Sequence, residues 1–510
     1  MVLGAFALLS ALPATAAGAG TDAGASASAA QQDEGVKAPV YDPRRFGSRP
    51  DLRPPKINVT QRSRRTAPGY FFFSVRVRKG TPDQYGPMIA DERGELIWFN
   101  PRNITFSSNL HAIKYMGRPA LTWWEGRIFP GYGRGDWIVV DRSYKQIAQI
   151  KGGNGQQTDF HDVRFTDRTV LVMNFVTVNR DLSAFGGAPN TNVLDNVVQE
   201  IDLKTGKVLF QWSALDHVAF SESSRRPPTE PGKPYDFFHI NSLDIDTDGH
   251  LLIGARRTNS VLKVHRRTGA VIWRLGGRCS TFDGGPGTEF IDLHLAGRCS
   301  TFDMGPGTEF IAQHDARRNA DGSITIFDNG QRSKGYRRSR GISLRLDTQK
   351  REARLHRTYR NPVEKVSRIQ GNFQPLAHGH FLAGWGNLPN YTEFDREGRP
   401  IYNAELPEGV NSYRVYKMRW SGRPAEKPAI AVRERGQGNL RVYASWNGAT
   451  GVASWQVLAG SSRGNLKPVR TEPRRGFETR IDLRTGARYF QVRARSQRGR
   501  TLGTSKIARR

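Results

Sequence analysis

One tight turn recurs six times along this 510-residue chain, and it limits the possible folds more than any other feature. Its copies are ADERGELIW from Ala90, VDRSYKQIAQI from Val140, EIDLKTGKVLFQW from Glu200, KVHRRTGAVIWRLG from Lys263, RLDTQKREARL from Arg345 and EFDREGRPIY from Glu393. In each copy an acidic or polar residue opens the turn, often with a glycine for the left-handed position, and a returning strand follows. The spacing of about 50 to 80 residues suits propeller blades that contain insertions.

A second type of hairpin falls between these turns. Its five copies are HAIKYMGRPALTWW, HDVRFTDRTVLVMNF, HINSLDIDTDGHLLIGAR, HDARRNADGSITIFDNG and NFQPLAHGHFLAGWG. Two hairpins per unit make a four-stranded blade, and radial repetition of such blades protects the sheet edges. We therefore predict an all-β fold, with a six-bladed β-propeller over residues 46–425.

The pattern changes after about residue 425. The segments NLRVYASWNGATGVASWQVLAG and ARYFQVRARSQ resemble strands of a fibronectin type III module, which needs under about 100 residues. We predict a small C-terminal β-sandwich of this type over residues 426–510, with Trp446 and Trp455 in its core. A seventh, irregular blade is the alternative.

The N-terminal stretch is typical of an export signal. Residues 1–16 are apolar and end in Ala14-Thr15-Ala16, which matches the A-x-A pattern of signal peptidase sites. Residues 17–45 are rich in small and polar residues and are expected to be a disordered linker. No later segment offers the roughly 18 to 20 apolar residues of a membrane-spanning helix. These features predict a secreted protein without a membrane span.

A direct repeat interrupts the fourth unit. GRCSTFDGGPGTEFIDLHLA from Gly277 is followed by GRCSTFDMGPGTEFIAQHDA from Gly297, and only the second copy continues into a hairpin. The first copy, 277–296, is therefore interpreted as an inserted loop. It contains one of the two cysteines, Cys279, and the second copy contains the other, Cys299. Two cysteines exclude a four-cysteine zinc site but could pair with each other.

The formal net charge of +30 favours anionic ligands. Nucleic acid is a competing partner, but the chain shows no basic helix, zinc-finger spacing or RNP-like strand. We therefore predict small anionic ligands and no nucleic acid.

Four histidines, His111, His161, His239 and His314, begin the inner hairpins. Three of them, all except His161, precede their hairpin glycines by 6, 10 and 8 residues, and even spacings place strand side chains on one face. In a propeller such strand starts converge near the axis. The remaining histidines, among them His380, fall on turns or outer strands and are expected to be exposed.

A histidine cluster also suits zinc, copper or iron. The carboxylates that would complete a ligand set, Asp162 and Asp315, directly follow histidines and would point to the opposite face of a strand. We therefore predict no bound metal and no cofactor.

Histidine combined with arginine suits the transfer of a sulfuryl group. Such transfer needs a nucleophile, cationic donors for the oxygens around sulfur and an acid for the departing phenolate. Neutral imidazole can be the nucleophile, a guanidinium fork can bind two oxygens, and a protonated histidine can supply the proton.

Six motifs together resemble the arylsulfate sulfotransferase family, in its secreted, single-chain branch. They are TWWEG at Thr122, GRGDW at Gly133, NVVQEIDLKTGKVLFQW at Asn196, FFHINSLDID at Phe237, QHDARR at Gln313 and FDNG at Phe327. The resemblance implies ping-pong transfer from a phenolic sulfate ester to an acceptor phenol, without a nucleotide donor. In agreement, the chain has no G-x-x-x-x-G-K-[ST] phosphate loop.

The resemblance also suggests individual roles. It implies that His314 becomes sulfated, that His239 is its acid-base partner and that Arg256 binds the sulfuryl group. Arg257 is adjacent, so a one-residue register shift would exchange the two arginines. By the same resemblance, His161 corresponds to a fourth catalytic residue of the family.

Substrate contacts are predicted at five further residues. We expect His111 and Asn241 to line the site, and Trp123, Trp124 and Glu125 to shape an aromatic pocket for the phenol ring. Two other functions remain open at this point: a non-catalytic propeller that binds sulfated or acidic ligands, and a metal- or quinone-dependent oxidoreductase. The sequence leaves the oligomeric state open.

Overall fold

The computed structural model describes residues 44–77, 84–102, 106–277, 300–330 and 338–510. Within these ranges the chain forms β-strands, four single 3₁₀ turns (Ser183–Phe185, Ala214–Asp216, Phe220–Glu222 and Ala377–Gly379) and no α-helix. The all-β prediction is confirmed. The predicted signal peptide, residues 17–43 of the linker, Cys279, Cys299 and all but the first residue of the inserted copy 277–296 lie outside the described residues. No helix in the described ranges is long and apolar enough to cross a membrane.

The strands follow one another closely along the chain. The first seventeen are β1 (Asn58–Arg62), β2 (Tyr70–Val77), β3 (Gly86–Ala90), β4 (Leu96–Phe99), β5 (Ser107–Tyr115), β6 (Arg118–Phe129), β7 (Tyr132–Val140), β8 (Gln146–Ile150), β9 (Thr158–Phe165), β10 (Thr169–Arg180), β11 (Thr191–Asp202), β12 (Val208–Ser213), β13 (Pro234–Tyr235), β14 (Ile240–Ile245), β15 (Leu251–Ala255), β16 (Ser260–Val264) and β17 (Val271–Gly276). The others are β18 (Asp303–Met304), β19 (His314–Arg318), β20 (Ile324–Asp328), β21 (Arg340–Asp347), β22 (Glu352–Arg360), β23 (Asn372–Pro375), β24 (Phe381–Gly384), β25 (Asn390–Phe394), β26 (Pro400–Glu405), β27 (Val410–Met418), β28 (Ala429–Glu434), β29 (Asn439–Ser445), β30 (Ser454–Gly460), β31 (Lys467–Pro473), β32 (Glu478–Arg484), β33 (Tyr489–Arg495), β34 (Thr501–Thr504) and β35 (Ala508–Arg509).

The described strands form seven mainly antiparallel sheets. Five precede residue 420, in the orders β27-β2-β3-β4, β5-β6-β7-β9-β10-β11-β12, β14-β15-β16-β17, β19-β20-β21-β22-β18 and β23-β24-β25-β26-β1; β8 also pairs with β7, and β13 with β11. The long second sheet consists of two successive meanders, and in the described ranges their strand pairing is limited to the residues Gly135 and Thr158. Six strands begin these sheets and the two meanders: β27, β5, β9, β14, β19 and β23. Each contacts the next in this order, and β23 contacts β27.

The six recurring turns link the third and fourth strands of successive units, as their local chemistry predicts. In the first, the Asp91 carboxylate accepts hydrogen bonds from the backbone N–H groups of Arg93 and Glu95, at 2.8 and 2.9 Å. A left-handed residue follows in all six turns: Gly94, Tyr144, Gly206, Gly269, Arg351 and Gly398. Side-chain capping and positive φ, both local properties, therefore define these hairpins.

Two of the first five sheets each include a strand that is remote in sequence. Tyr70 of β2 pairs with Met418 of β27, and Asn58 of β1 pairs with Glu405 of β26. Strand β2 thus lies in the sheet that begins with β27, and β1 extends the sheet of β23 to β26. This pairing fixes β27 beside β5 and β23, where it faces the histidine-bearing strands.

Four buried charges lie on three of the innermost strands and connect them to a fourth. Arg317 of β19 lies 2.6 Å from carboxylate oxygens of both Asp162 and Asp315, and Arg414 of β27 lies 3.2 and 3.4 Å from the same two residues. Arg414 also donates to the carbonyl of Asn241, at 2.7 Å. This central charge cluster (Asp162, Asp315, Arg317 and Arg414) holds β9, β14, β19 and β27 together.

Two further sheets follow residue 425, in the orders β28-β29-β32 and β31-β30-β33-β34, with β35 on β33. Their apolar faces meet around Trp455, which is 1% exposed, while Trp446 packs at the margin of the same cluster. This unit is attached to the rest of the chain through Asn447. The Asn447 side chain pairs with the backbone N–H and carbonyl of Phe99 in β4, at 3.0 and 2.8 Å, and so occupies an otherwise open sheet edge.

Candidate functional site

Three of the predicted histidines come together where three neighbouring strands begin. His161 lies in β9, His239 directly precedes β14, and His314 opens β19. The ring centroids of His161 and His239 are 5.1 Å apart, and Tyr413 of β27 lies 5.6 Å from His161 and 6.3 Å from His314. All three imidazoles are at most 7% exposed. We call these residues the histidine group (His161, His239 and His314).

The backbone is sharply bent at these strand starts. His239 itself has a φ of 55°, and the residues Ala312 and Asp315 on either side of His314 have φ values of 53° and 56°. The pairing register also shifts near the start of β14 and of β19. Non-glycine residues adopt positive φ only at a cost, so the fold must hold them in place. The even spacing to the hairpin glycines is therefore not what brings His239 and His314 together, and that step of the prediction is wrong.

Two imidazoles of the histidine group are held by carboxylates through Nδ1. His161 Nδ1 lies 2.5 Å from Oδ1 of Asp159, and His239 Nδ1 is hydrogen-bonded to Oδ2 of Asp236. A carboxylate at Nδ1 fixes the ring orientation and stabilises the imidazolium form. Neither Nε2 atom has a hydrogen-bond partner among the described residues, so each remains for a ligand.

The third imidazole, that of His314, is held by an amide. The Nδ2 group of Asn329 donates to the backbone carbonyls of Ser367 and Gln370, both at 2.9 Å, so its Oδ1 must face the ring. This Oδ1 and the carbonyl of Ala312 lie 2.7 and 3.1 Å from His314 Nδ1. Because both neighbours of Nδ1 are acceptors, Nδ1 bears the proton and Nε2 bears the lone pair. The backbone N–H of Gln370 reaches Nε2 only at 3.3 Å.

Two consecutive arginines follow β15 beside the histidine group. The backbone N–H of Arg256 donates to the carbonyl of His239 at 2.9 Å, which ties the two residues together. The Arg256 guanidinium is buried, donates to the carbonyl of Arg368 at 3.3 Å, and has no acceptor for its Nε within the described residues. Arg257 is half-buried and its Nε also lacks a partner there. Both guanidinium groups therefore have unused donors, as an anion site requires.

Burial controls the protonation of the group. It holds the pKa of His314 well below the ordinary histidine value, and the nearby charge of Arg256 lowers it further. Burial also lowers the pKa of His239 to about 4, against the opposing attraction of Asp236. Without a bound anion, His239 and His314 are neutral near pH 7. An anionic ligand bound beside these two histidines would raise their pKa values.

His111 and Asn241 lie near the group but differ in their contacts. His111 Nδ1 bonds to the carbonyl of Asn109 at 2.7 Å, and the ring contacts Tyr416 at 5.3 Å; no ring contact joins His111 to the histidine group in the described chain. Asn241 donates to the carbonyl of Gln313 at 2.6 Å and leaves its buried Oδ1 unpaired among the described residues. Their roles in substrate binding stay predictions.

Of the predicted aromatic pocket residues, Trp123 and Trp124 lie within the core and Glu125 lies at its margin. Trp123 Nε1 donates to Oε1 of Glu125 at 2.6 Å, and Trp124 Nε1 donates to the carbonyl of Thr158 at 3.1 Å. Glu125 is also paired with Arg102 at 2.8 Å. Both tryptophans are at most 2% exposed. These contacts give the three residues a packing role, and their contact with substrate stays a prediction.

One histidine that we expected to be exposed is buried. His380 lies 3.0 Å from a carboxylate oxygen of Glu393, which also binds the buried Lys417 at 2.7 Å. The strand pairing of β24 with β25 and the return of β27 cover this position, and neither follows from the local sequence.

The sequence interpretation missed four residues that hold or surround the histidine group. Asp159 and Asp236 precede their histidines by two and three residues, a short-range signal that could have been used. Asn329 lies in the FDNG motif, but its partner is remote in sequence. Tyr413 belongs to none of the motifs, because only the return of β27 brings it to the site.

In the described ranges, no set of three or more histidine, cysteine, aspartate or glutamate side chains is grouped closely enough to hold a metal ion. The site itself presents imidazole, carboxylate, phenol and guanidinium groups.

Comparison with solved structures finds distant likenesses. A protein of unknown function from Bacteroides caccae matches with a TM-score of 0.38 and 13% identity, over 68% of this chain and 98% of that one. The β-propeller domain of Cps50 (Swd1) from Myceliophteria thermophila matches with a TM-score of 0.33 and 11% identity, over 77% and 97%. A streptogramin B lyase matches with a TM-score of 0.34 and 7% identity, over 76% and 93%. At this level the likeness says nothing about function.

Comparison with curated proteins gives no match. The comparison with protein families is informative: the model described as arylsulfotransferase (ASST) matches residues 111–297 and 286–406. The two matches overlap within the repeated segment and together include the whole histidine group and Arg256. They cover more than half of the chain, and the chain therefore belongs to the arylsulfotransferase family.

Proposed function

We propose that this protein is an arylsulfate sulfotransferase, which moves a sulfuryl group from a phenolic sulfate ester to an acceptor phenol through His314. One observation supports this proposal most strongly. The hydrogen bonds of Asn329 and Ala312 keep the proton of His314 on Nδ1, and this leaves the Nε2 lone pair as a nucleophile beside Arg256.

In the first half-reaction His314 Nε2 attacks sulfur. An N–S bond forms, the S–O bond to the phenol breaks, and the electron pair of that bond leaves with the phenolate oxygen. Arg256 stabilises the sulfuryl oxygens, using among its donors the Nε group, which has no acceptor among the described residues. The Nδ1–H bond to Asn329 offsets the positive charge that develops on the ring.

The departing phenolate takes a proton from His239. In the free protein this histidine has a pKa of about 4. Burial deprives the imidazolium of hydration, and a sulfate ester bound beside it stabilises the imidazolium with its negative charge. Binding therefore raises the pKa of His239 and favours uptake of the proton. Asp236 orients the ring and stabilises its charged form. His161 is bonded to Asp159 in the same way, and its ring centroid lies 5.1 Å from that of His239. We propose that this second pair shares the role of His239.

The second half-reaction reverses the first. His239, now neutral, accepts the proton of an acceptor phenol, and the phenol oxygen attacks the sulfur on His314. The N–S bond breaks and its electron pair returns to Nε2. Since one imidazole is acid and then base, donor and acceptor phenols occupy the same position in turn.

We further propose that residues 46–425 form a six-bladed propeller and residues 426–510 a fibronectin type III-like sandwich. Division of the long sheet at the pair Gly135–Thr158 yields six units of about four strands, and the circular order of contacts among the first strands supports a ring. Export through residues 1–16 completes the proposal. N-terminal sequencing of secreted protein, with cleavage after Ala16 expected, would test the export signal.

Incubation with p-nitrophenyl sulfate and phenol tests the proposed function. We expect nitrophenol release that depends on phenol, appearance of phenyl sulfate, and loss of both in His314→Ala. His356→Ala is a matched control, because His356 is an exposed residue of β22 and should not affect turnover. Binding of the sulfate ester without any turnover in the wild-type protein would instead identify a non-catalytic binding protein.

A further inference from the structure

Tyr413 has a buried hydroxyl group that the packing does not explain. The residue is 2% exposed, and its hydroxyl has no hydrogen-bond partner among the described residues. A buried hydroxyl without a partner destabilises the folded state, and phenylalanine would fill the same space without this cost. Tyr391 and Tyr402 also have such hydroxyls, but only that of Tyr413, among these three, belongs to a ring that contacts the histidine group, and there it points to a ligand that is bound during function.

The position of Tyr413 identifies the place where that ligand would lie. Its ring contacts His161 at 5.6 Å and His314 at 6.3 Å, and it is edge-on to Phe160 at 5.4 Å. The Tyr413 phenol also interacts electrostatically with the Arg256 guanidinium. Tyr413 is thus bordered by the proposed nucleophile and by one carboxylate-backed histidine, and it is within electrostatic range of the proposed sulfuryl-binding arginine.

The backbone fixes the phenol in this position. Tyr413 lies within β27, and the nearby residues Ser412 and Val415 of that strand pair with β2. The Tyr413 carbonyl accepts a hydrogen bond from the backbone N–H of Gly371 at 3.0 Å. The next residue is Arg414 of the central charge cluster. Burial, the largest effect, and the carboxylates of Asp159 and Asp162 raise the pKa of the Tyr413 phenol, so it remains protonated. The group is a hydrogen-bond donor in a strand that is paired on both sides of it.

We propose that Tyr413 is a catalytic residue whose hydroxyl donates a hydrogen bond to an oxygen of the sulfuryl group while that group passes between the phenol oxygen and His314. This inference rests on the proposed sulfotransferase function and adds a neutral donor to the cationic one, Arg256. The step forms and breaks no bond at Tyr413, and the phenol keeps its proton throughout.

The variant Tyr413→Phe tests this role. Removal of one preorganised donor to a developing anion lowers kcat by about 10²-fold to 10³-fold. Because the lost hydroxyl has no partner in the free protein, the variant should unfold at the same temperature as the wild type or higher. Slower turnover combined with unchanged or greater stability distinguishes this role from a structural one. Tyr391→Phe, which alters a buried phenol in a different aromatic cluster, is the control and should keep wild-type kcat.

A comparison of donors identifies the atom that Tyr413 contacts. If the hydroxyl binds a sulfuryl oxygen, the fold-loss in Tyr413→Phe is the same for p-nitrophenyl sulfate and for phenyl sulfate. A loss confined to phenyl sulfate would place the contact on the leaving oxygen and overturn the proposal. A kcat within twofold of wild type with both donors would also overturn it, while the sulfotransferase function would stand. Absence of transfer in the wild-type protein would reject the function itself.

Discussion

The Oδ1 atom of Asn329 lies 2.7 Å from Nδ1 of His314, and the Nδ2 group of the same amide is committed to two backbone carbonyls. This arrangement leaves one tautomer for the imidazole. An aspartate at position 329 would accept the same hydrogen bond and would add a negative charge, although it would lose the two hydrogen bonds that Nδ2 donates.

We expect Asn329→Asp to move the acid limb of kcat/KM to higher pH. The wild-type pKa of His314 is held well below the ordinary value, so His314 is neutral and reactive to correspondingly low pH. A carboxylate beside Nδ1 favours the charged ring and raises this pKa, and the neutral nucleophile is then lost at a higher pH. The pH–rate profile with p-nitrophenyl sulfate measures the shift. An unchanged acid limb would mean that His314 does not titrate in the reaction.

Asp236→Asn should slow poor donors more than good ones. Loss of this carboxylate weakens the stabilisation of the His239 imidazolium, which must protonate the departing phenolate. General acid catalysis contributes about 10²-fold to 10⁴-fold when the leaving group is basic. We expect a loss in this range with phenyl sulfate and a smaller loss with p-nitrophenyl sulfate. Asp202→Asn, in an exposed turn, is the control. Equal losses with both donors would argue against His239 as the acid.

The two adjacent arginines should differ in effect. Arg256 is the more buried, and its charge is the one that influences His314. Arg256→Ala should lower kcat/KM by about 10²-fold to 10³-fold, and Arg257→Ala by less than about tenfold. Steady-state kinetics of the two variants with one donor provides the comparison. The reverse order would show that Arg257 binds the sulfuryl group.

Arg414→Met should destabilise the fold. Arg414 is fully buried and contacts Asp162, Asp315 and the carbonyl of Asn241. Its removal leaves the two buried carboxylates without one of their cations, which lowers the free energy of unfolding by about 3–5 kcal/mol. Chemical denaturation measures this difference. Arg396→Met, at an exposed turn, should stay within about 0.5 kcal/mol of wild type.

The repeating hairpins could be predicted from the sequence because their determinants are local. An aspartate that accepts backbone N–H groups and a glycine with positive φ lie within five residues of each other, as Asp91 and Gly94 do. The pairing of β27 with β2 has no such signal, since Tyr70 and Met418 are remote in sequence. The positions of Tyr413 and Arg414 depend on that pairing, and the burial of His380 depends on strand packing.

The histidine group was only partly predictable. The recurrence of histidine at inner hairpins indicated three residues that do meet, His161, His239 and His314. It also included His111, which lies beside Tyr416 instead. Strand parity could not distinguish these cases, because positive φ values at His239 and Asp315 and the register shifts beside them interrupt the alternation. The supporting acceptor Asn329 was recognisable only as part of a motif.

Peptide mapping of the protein after brief exposure to p-nitrophenyl sulfate, without an acceptor, tests the central claim most directly. Histidine–sulfur bonds are labile in acid, so digestion and mass spectrometry must be carried out at neutral or alkaline pH. We predict the added mass of one sulfuryl group on the peptide that contains His314, its release on addition of phenol, and its absence in His314→Ala. Turnover with no covalent adduct, or an adduct on another residue, would contradict the account.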